Sequence, residues 1–216
     1  VDVLLVGDQL QSIYFAKNTF TNMDEGLPNT HVVRIPPTNV CRRFGSESMV
    51  LVNSVVDFGP LPPVECCHSP EPAFPRPAGA VHLLEQPDMY GRTDDRFMHT
   101  ILQKMDAEIR EHQYLPNDFL FIFPFVKNNP MANAIEGHVQ QYWVDKFQNP
   151  AFHHRGVVSS PYAVLHKSEE GRPINITDSE HATRMVSIHA SKGDGRPVVF
   201  FLGCTERNLK TFSGGE

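Results

Sequence analysis

Residues 184–203 read RMVSIHASKGDGRPVVFFLG, and this stretch decides the class of fold that we predict. Two apolar runs, predicted as strands over Arg184–His189 and Val198–Leu202, flank a polar segment rich in glycine. Apolar runs without alternation are typical of strands that are covered on both faces. The polar segment therefore follows the carboxyl end of a buried strand, which is where parallel sheets bind ligands.

Similar apolar runs and helical periods alternate along the rest of the chain. Further strands are predicted at Val3–Val6, His31–Ile35, Ala80–Leu84, Asp118–Phe123 and Tyr162–Leu165. Helices are predicted over Ser46–Val56, along the stripe Phe97, Ile101, Met105 and Ile109, and from Asn129–Pro130 onward. This alternation indicates an α/β fold with a mostly parallel sheet and helices on both sides.

Two segments lack both patterns and are predicted as loops. Seven prolines between Pro60 and Pro77 exclude a helix or a central strand, so we predict a proline-rich loop over 57–79. The polar stretch 167–181 is predicted as an exposed loop or a hairpin.

The composition limits the classes of function. The net charge of −6 argues against a broad basic face for nucleic acid, although a local cleft needs only a few well-placed groups. No apolar run reaches the roughly 20 residues that span a bilayer, so we expect no membrane partner. Four cysteines without C-x-x-C spacing are interpreted as reduced thiols of an intracellular protein, with no metal site.

A second polar cluster follows the first predicted strand, in the run GDQLQSIYF over residues 7–15. The amide of Gln11 can bond a phosphate oxygen, and the rings of Tyr14 and Phe15 can stack on bases. The alternative is an ordinary turn in which Tyr14 packs into the core.

These clusters, together with NVCRRF at residues 39–44, resemble three consecutive motifs of the UvrD-like superfamily 1 DNA helicases. The resemblance is closest to the helicases of large double-stranded DNA viruses. It implies a RecA-like three-layer sandwich that couples ATP hydrolysis to movement on single-stranded DNA. It also implies that residues 1–20 end a first motor domain and that 21–216 form the second.

The resemblance further implies roles for individual residues. Gln11 and Arg43 become catalytic residues at the γ-phosphate, and a guanidinium suits phosphate oxygens. Arg42 and Asp194 are implied as further nucleotide contacts. The implied DNA contacts are Tyr14, Phe15, Ser187, His189 and Lys192.

No phosphate-binding G-x-x-x-x-G-K-[ST] sequence occurs in the chain, and the arginine-finger segment of the family is not found either. We therefore expect the 216 residues alone to be inactive as an ATPase. ATP and Mg²⁺ would be held mainly by the N-terminal motor domain of the same protein. The other expected partner is single-stranded or forked DNA, in the cytoplasm or in the nucleus of a host if the source is viral.

Two other interpretations stay open. In the first, the chain is a degenerate, helicase-derived structural subunit of a nuclease or repair complex. Alternatively, it is a nucleotide- or protein-binding α/β module without a DNA role. The net charge of −6 supports this second interpretation.

Overall fold

A computed structural model of the chain describes residues 40–41, 46–55, 63, 65–66, 81–82, 95–149, 165–168, 179–191 and 194–205. Contacts divide the chain into two compact units, residues 1–84 and 85–216. The predicted strands at 3–6 and 31–35 and the predicted domain boundary at residue 20 lie outside the described residues. Within the described ranges, no helix combines the length and the apolar character needed to cross a bilayer.

The first unit contains a short parallel strand pair and a helix among its described residues. Strand β1, Val40–Cys41, pairs with strand β2, Glu65–Cys66, and helix α1 spans Ser46–Val55. The helix confirms the prediction, but β2 lies within the segment that was predicted to be loop throughout. The residues between Pro63 and Pro70 contain no proline, so their backbone N–H groups remain able to pair.

The predicted strand Ala80–Leu84 is not formed at its two described residues, Val81 and His82. The N–H of Val81 instead donates a hydrogen bond to the Glu47 carboxylate of α1, over 3.2 Å. A side-chain acceptor thus takes the place of a neighbouring strand at this position.

Among its described residues, the second unit holds two long helices and a four-stranded sheet. Its elements are α2 (Asp95–His112), a 3₁₀ turn (Pro116–Asp118), β3 (Phe119–Phe123), α3 (Pro130–Gln148), β4 (Leu165–Lys167), β5 (Thr183–Ser187) and β6 (Val198–Phe201). The strand order is β4-β5-β3-β6, and every neighbouring pair is parallel. The α/β fold with a parallel sheet is therefore as predicted.

Helix α3 covers one face of this sheet. The indole N–H of Trp143 donates to the hydroxyl of Thr183 on β5 over 2.9 Å, and the Trp143 ring meets Phe119 of β3 edge to face. Side chains alternate between the faces of a strand. Thr183, Met185 and Ser187 therefore share the α3 side, while Arg184 and Val186 lie on the opposite side.

Helix α2 carries the apolar stripe that its sequence predicted. Phe97, Ile101, Met105 and Ile109 are buried, one turn apart along the helix. On its outer side Asp106 joins α2 to α3, accepting a hydrogen bond from the Tyr142 hydroxyl over 3.1 Å and forming an ion pair with Lys146. The hydrogen bond from Lys146 outweighs desolvation and lowers the pKa of Asp106.

Several predicted strand bounds were wrong. β3 begins at Phe119, because Asp118 belongs to the 3₁₀ turn and accepts the Leu115 N–H over 2.8 Å. Lys167 was predicted in an exposed loop but ends β4, half-buried. β5 ends at Ser187 rather than at His189, since Ser187 starts a hydrogen-bonded turn.

Candidate functional site

The carboxyl edge of the sheet brings together the loops that follow β3 and β5. These two strands are parallel neighbours, and Phe123 lies opposite Ser187 at their last residues. The N–H of Ile188 donates to the Phe123 carbonyl over 2.8 Å, so the two loops leave the sheet side by side. Ligands of open α/β sheets bind at this edge.

The loop after β5 forms one tight turn, Ile188–Ser191, which we call the serine turn. The Ser187 hydroxyl accepts the Ala190 N–H over 3.3 Å, and the Ser187 carbonyl accepts the Ser191 N–H over 2.9 Å. The Ser191 hydroxyl donates back to the carbonyl of Ile188 over 2.8 Å. Short side-chain oxygens that bond the local backbone in this way end a strand and start a turn.

The predicted DNA contacts in this turn differ in accessibility. Ser187 is only 4% exposed, and its hydroxyl already serves the backbone of the turn. His189 and Ser191 are half-buried and form the accessible part of the turn. The role of Ser187 in DNA binding stays a prediction, and the geometry adds a structural role for it.

The loop after β3 holds polar residues that the sequence analysis assigned to no site. Lys127 and Asn128 are exposed, and Asn128 has a positive φ of 55°. Asn129 then caps α3, accepting the N–H groups of Met131 and Ala132 and donating to the Phe125 carbonyl. The sequence does contain a signal for a site in this loop, because Lys127 lies between a predicted strand and the predicted start of a helix.

The edge strand β4 presents a cation that is already paired. Lys167 donates to Glu136 over 2.5 Å and to the side-chain carbonyl of Asn133 over 2.7 Å, both on α3. Its charge is therefore compensated locally. Of the two lysines Lys127 and Lys167, the exposed Lys127 is better placed to meet an anionic ligand.

Asp194 follows the serine turn and lies in an ion pair. Its N–H donates to the Ser191 carbonyl over 2.9 Å, and its carboxylate accepts from Nη1 of Arg184 over 2.9 Å. The second carboxylate oxygen accepts the N–H of Gly195. A contact between Asp194 and a nucleotide stays a prediction. Arg184 was assigned no role from sequence, although an arginine inside an apolar strand signals a buried partner.

The remaining predicted site residues lie outside the described part of the chain. They are Gln11, Tyr14, Phe15, Arg42, Arg43 and Lys192. Of the predicted site residues, the structure brings Ser187, His189 and Asp194 close together around the serine turn. It does not test the residues predicted to contact ATP at the opposite end of the sequence.

The two loops at this edge carry side chains that can bond an anionic ligand. No group of three histidine, cysteine, aspartate or glutamate side chains in the described ranges could hold a metal. A lysine, a histidine, hydroxyls and an asparagine instead lie in the two loops. Such groups are those that bond phosphates along a nucleic-acid backbone. Comparisons with protein-family models, curated proteins and solved structures found no match to this chain.

Proposed function

We propose that this chain is part of an ATP-dependent DNA helicase or translocase of the UvrD-like superfamily 1, with a RecA-like three-layer motor domain. The observation that carries the proposal is the serine turn at the carboxyl end of the buried strand β5. The helicase-like sequence SIHASKG begins at Ser187, the last residue of that strand. This is the edge at which a parallel sheet presents a ligand.

Two further features support a nucleic-acid backbone as the ligand. Exposed Lys127 adds a positive charge in the neighbouring loop, despite the net charge of −6 for the chain. The half-buried polar groups of the serine turn are the imidazole of His189 and the hydroxyl of Ser191, whose oxygen donates to the Ile188 carbonyl. A few phosphate contacts of this kind bind single strands without needing a broad basic surface.

ATP and Mg²⁺ enter the proposal through residues outside the described ranges. Gln11 and Arg43 would bind the γ-phosphate, and the rest of the nucleotide site would belong to the N-terminal motor domain. In a protein that contains both motor domains, Arg43→Ala should abolish ATP hydrolysis and spare DNA binding. The protein would work inside the cell, in the cytoplasm or in the nucleus of a viral host.

The first test is the binding of fluorescein-labelled oligo-dT to the 216-residue chain, measured by anisotropy at several salt concentrations. Because phosphate contacts release counterions, the logarithm of the association constant should fall linearly with the logarithm of salt concentration. Lys127→Ala should weaken binding and reduce the slope by about 0.7, the value for one phosphate contact on a single strand.

Arg110→Ala is the matched control for Lys127→Ala. Arg110 is an exposed cation near the end of α2, where it pairs with Asp106 over 3.3 Å. Since β3 is the next strand along the chain, Arg110 lies toward the amino edge of the sheet. Its removal changes the net charge equally but should leave the slope unchanged. Equal effects of both variants would show non-specific attraction, and an absence of salt-dependent binding would favour a module without a DNA role.

A further inference from the structure

The serine turn is followed by a buried ion pair that the helicase motif does not explain. Arg184 and Asp194 have side chains only 10% and 12% exposed, and Nη1 of Arg184 lies 2.9 Å from the Asp194 carboxylate. Arg184 also donates from Nε to the hydroxyl of buried Ser179, over 3.0 Å. Charges this far from water are retained only when they are paired and hydrogen-bonded.

The ion pair closes a loop around the serine turn. Arg184 lies on β5 before the turn and Asp194 lies after it, so one side-chain contact joins both ends of the segment. A backbone hydrogen bond also ties Asp194 to the last residue of the serine turn, because the Asp194 N–H donates to the carbonyl of Ser191. The proposed DNA contact His189 lies inside the closed segment.

A second arginine fixes the chain beyond Asp194. Arg196 donates from Nη1 to the Asn117 carbonyl, in the 3₁₀ turn before β3, and its Nε lies 4.0 Å from the Asp194 carboxylate. The returning chain is thereby tied to the amino end of the neighbouring strand. Asp194 thus faces two cations, and a neutral residue in its place would leave both without their carboxylate.

We propose that Arg184 and Asp194 are positioning residues for single-stranded DNA, holding the serine turn in the shape that meets the phosphate backbone. This inference rests on the proposed function and deepens it. The pair itself does not touch DNA, because it is buried on the side of the sheet opposite α3. It acts by fixing where His189 and Ser191 lie.

The test compares Asp194→Asn with Asp194→Glu and with the wild-type chain, well below the unfolding temperature of each. Asp194→Asn keeps the size of the side chain but removes its charge, and should weaken oligo-dT binding about tenfold, as expected for residues of one network. Hydrogen exchange at the amides of Ala190 and Ser191 should accelerate. Asp194→Glu keeps the charge, so it should restore much of the oligo-dT affinity and much of the protection from exchange.

Asp106→Asn serves as the control because it breaks an aspartate–cation pair elsewhere in the same unit, between α2 and α3. It should lower thermal stability without changing oligo-dT affinity or exchange in the serine turn. A merely structural role for Asp194 would give this same pattern. If Asp194→Asn does not fold, Arg184→Lys carries the comparison, since it keeps the charge but loses the geometry of the bond to Ser179.

The outcomes separate the two proposals. Wild-type binding that persists unchanged in Asp194→Asn, with unchanged exchange in the serine turn, overturns the positioning role alone. A wild-type chain that shows no salt-dependent binding removes the proposed function and the positioning role together. Weaker binding with faster exchange, restored by glutamate, supports both.

Discussion

Thr183→Val tests the contact that fixes α3 to the buried strand β5. The Thr183 hydroxyl accepts the indole N–H of Trp143 over 2.9 Å and donates to the Pro116 carbonyl over 2.7 Å. All three residues are buried, and Thr183 and Trp143 are fully so. Valine has nearly the same shape as threonine, so the substitution removes both hydrogen bonds without opening a cavity.

The expected cost comes mainly from the indole N–H of Trp143, which loses its acceptor, since the Pro116 carbonyl still accepts the N–H of Phe119. Each buried donor or acceptor that loses its partner costs about 1–3 kcal/mol. The added methyl group returns roughly 1 kcal/mol through burial of apolar surface. The lost hydrogen bond to Pro116 adds about 1 kcal/mol, so we expect the free energy of unfolding to fall by about 2 kcal/mol, and the melting temperature to fall by about 7 °C.

Urea unfolding followed by tryptophan fluorescence measures this change. Trp143 is the single tryptophan of the chain, so its signal reports on the second unit alone. Thr100→Val is the matched control, because the Thr100 hydroxyl donates to the Arg96 carbonyl on the surface of α2. It should change stability by less than about 0.5 kcal/mol. A Thr183→Val effect no larger than that of Thr100→Val would refute the reasoning.

Two further predictions concern the contact between α2 and α3 and the start of α3. Asp106, whose pKa is lowered below 3.8, adds stability that is complete above its unfolded-state pKa and is lost as pH falls through the folded value. The melting temperature of Asp106→Asn should therefore lie below wild type at pH 6, with the difference shrinking at pH 3. Asn129→Ala removes the cap of α3 and its bond to Phe125, and should cost about 1–2 kcal/mol in urea unfolding. Asn129→Ser keeps a capping oxygen without setting a carboxylate against the Phe125 carbonyl, and should recover part of this loss; equal losses would exclude capping as the cause.

Local patterns were enough to predict the elements that form the frame of the second unit. The stripe on α2 and the unbroken apolar run of β3 each follow from neighbours within a few residues. The order of strands could not be read in this way. Nothing local indicates that β5 inserts between β4 and β3, because that position depends on contacts between distant segments.

The candidate site was predictable in its place but not in its details. An apolar strand followed by SIHASKG put the site at the carboxyl edge of the sheet, where the structure has the serine turn. The end of the strand was misplaced because Ser187 bonds its own backbone, a competition that apolar patterning does not register. The pairing of Arg184 with Asp194 depends on how the chain returns after the turn.

The position of β3 inside the sheet has a consequence for how the chain is made. Among the described strands, β3 pairs with β5 and β6, which begin only at Thr183 and Val198. During synthesis the sequence FLFIF of β3 must therefore wait, unpaired, until both later strands have left the ribosome. Contacts so distant in sequence form slowly. A chain released before Thr183 would expose this apolar segment along both of its edges, in the form that seeds aggregation.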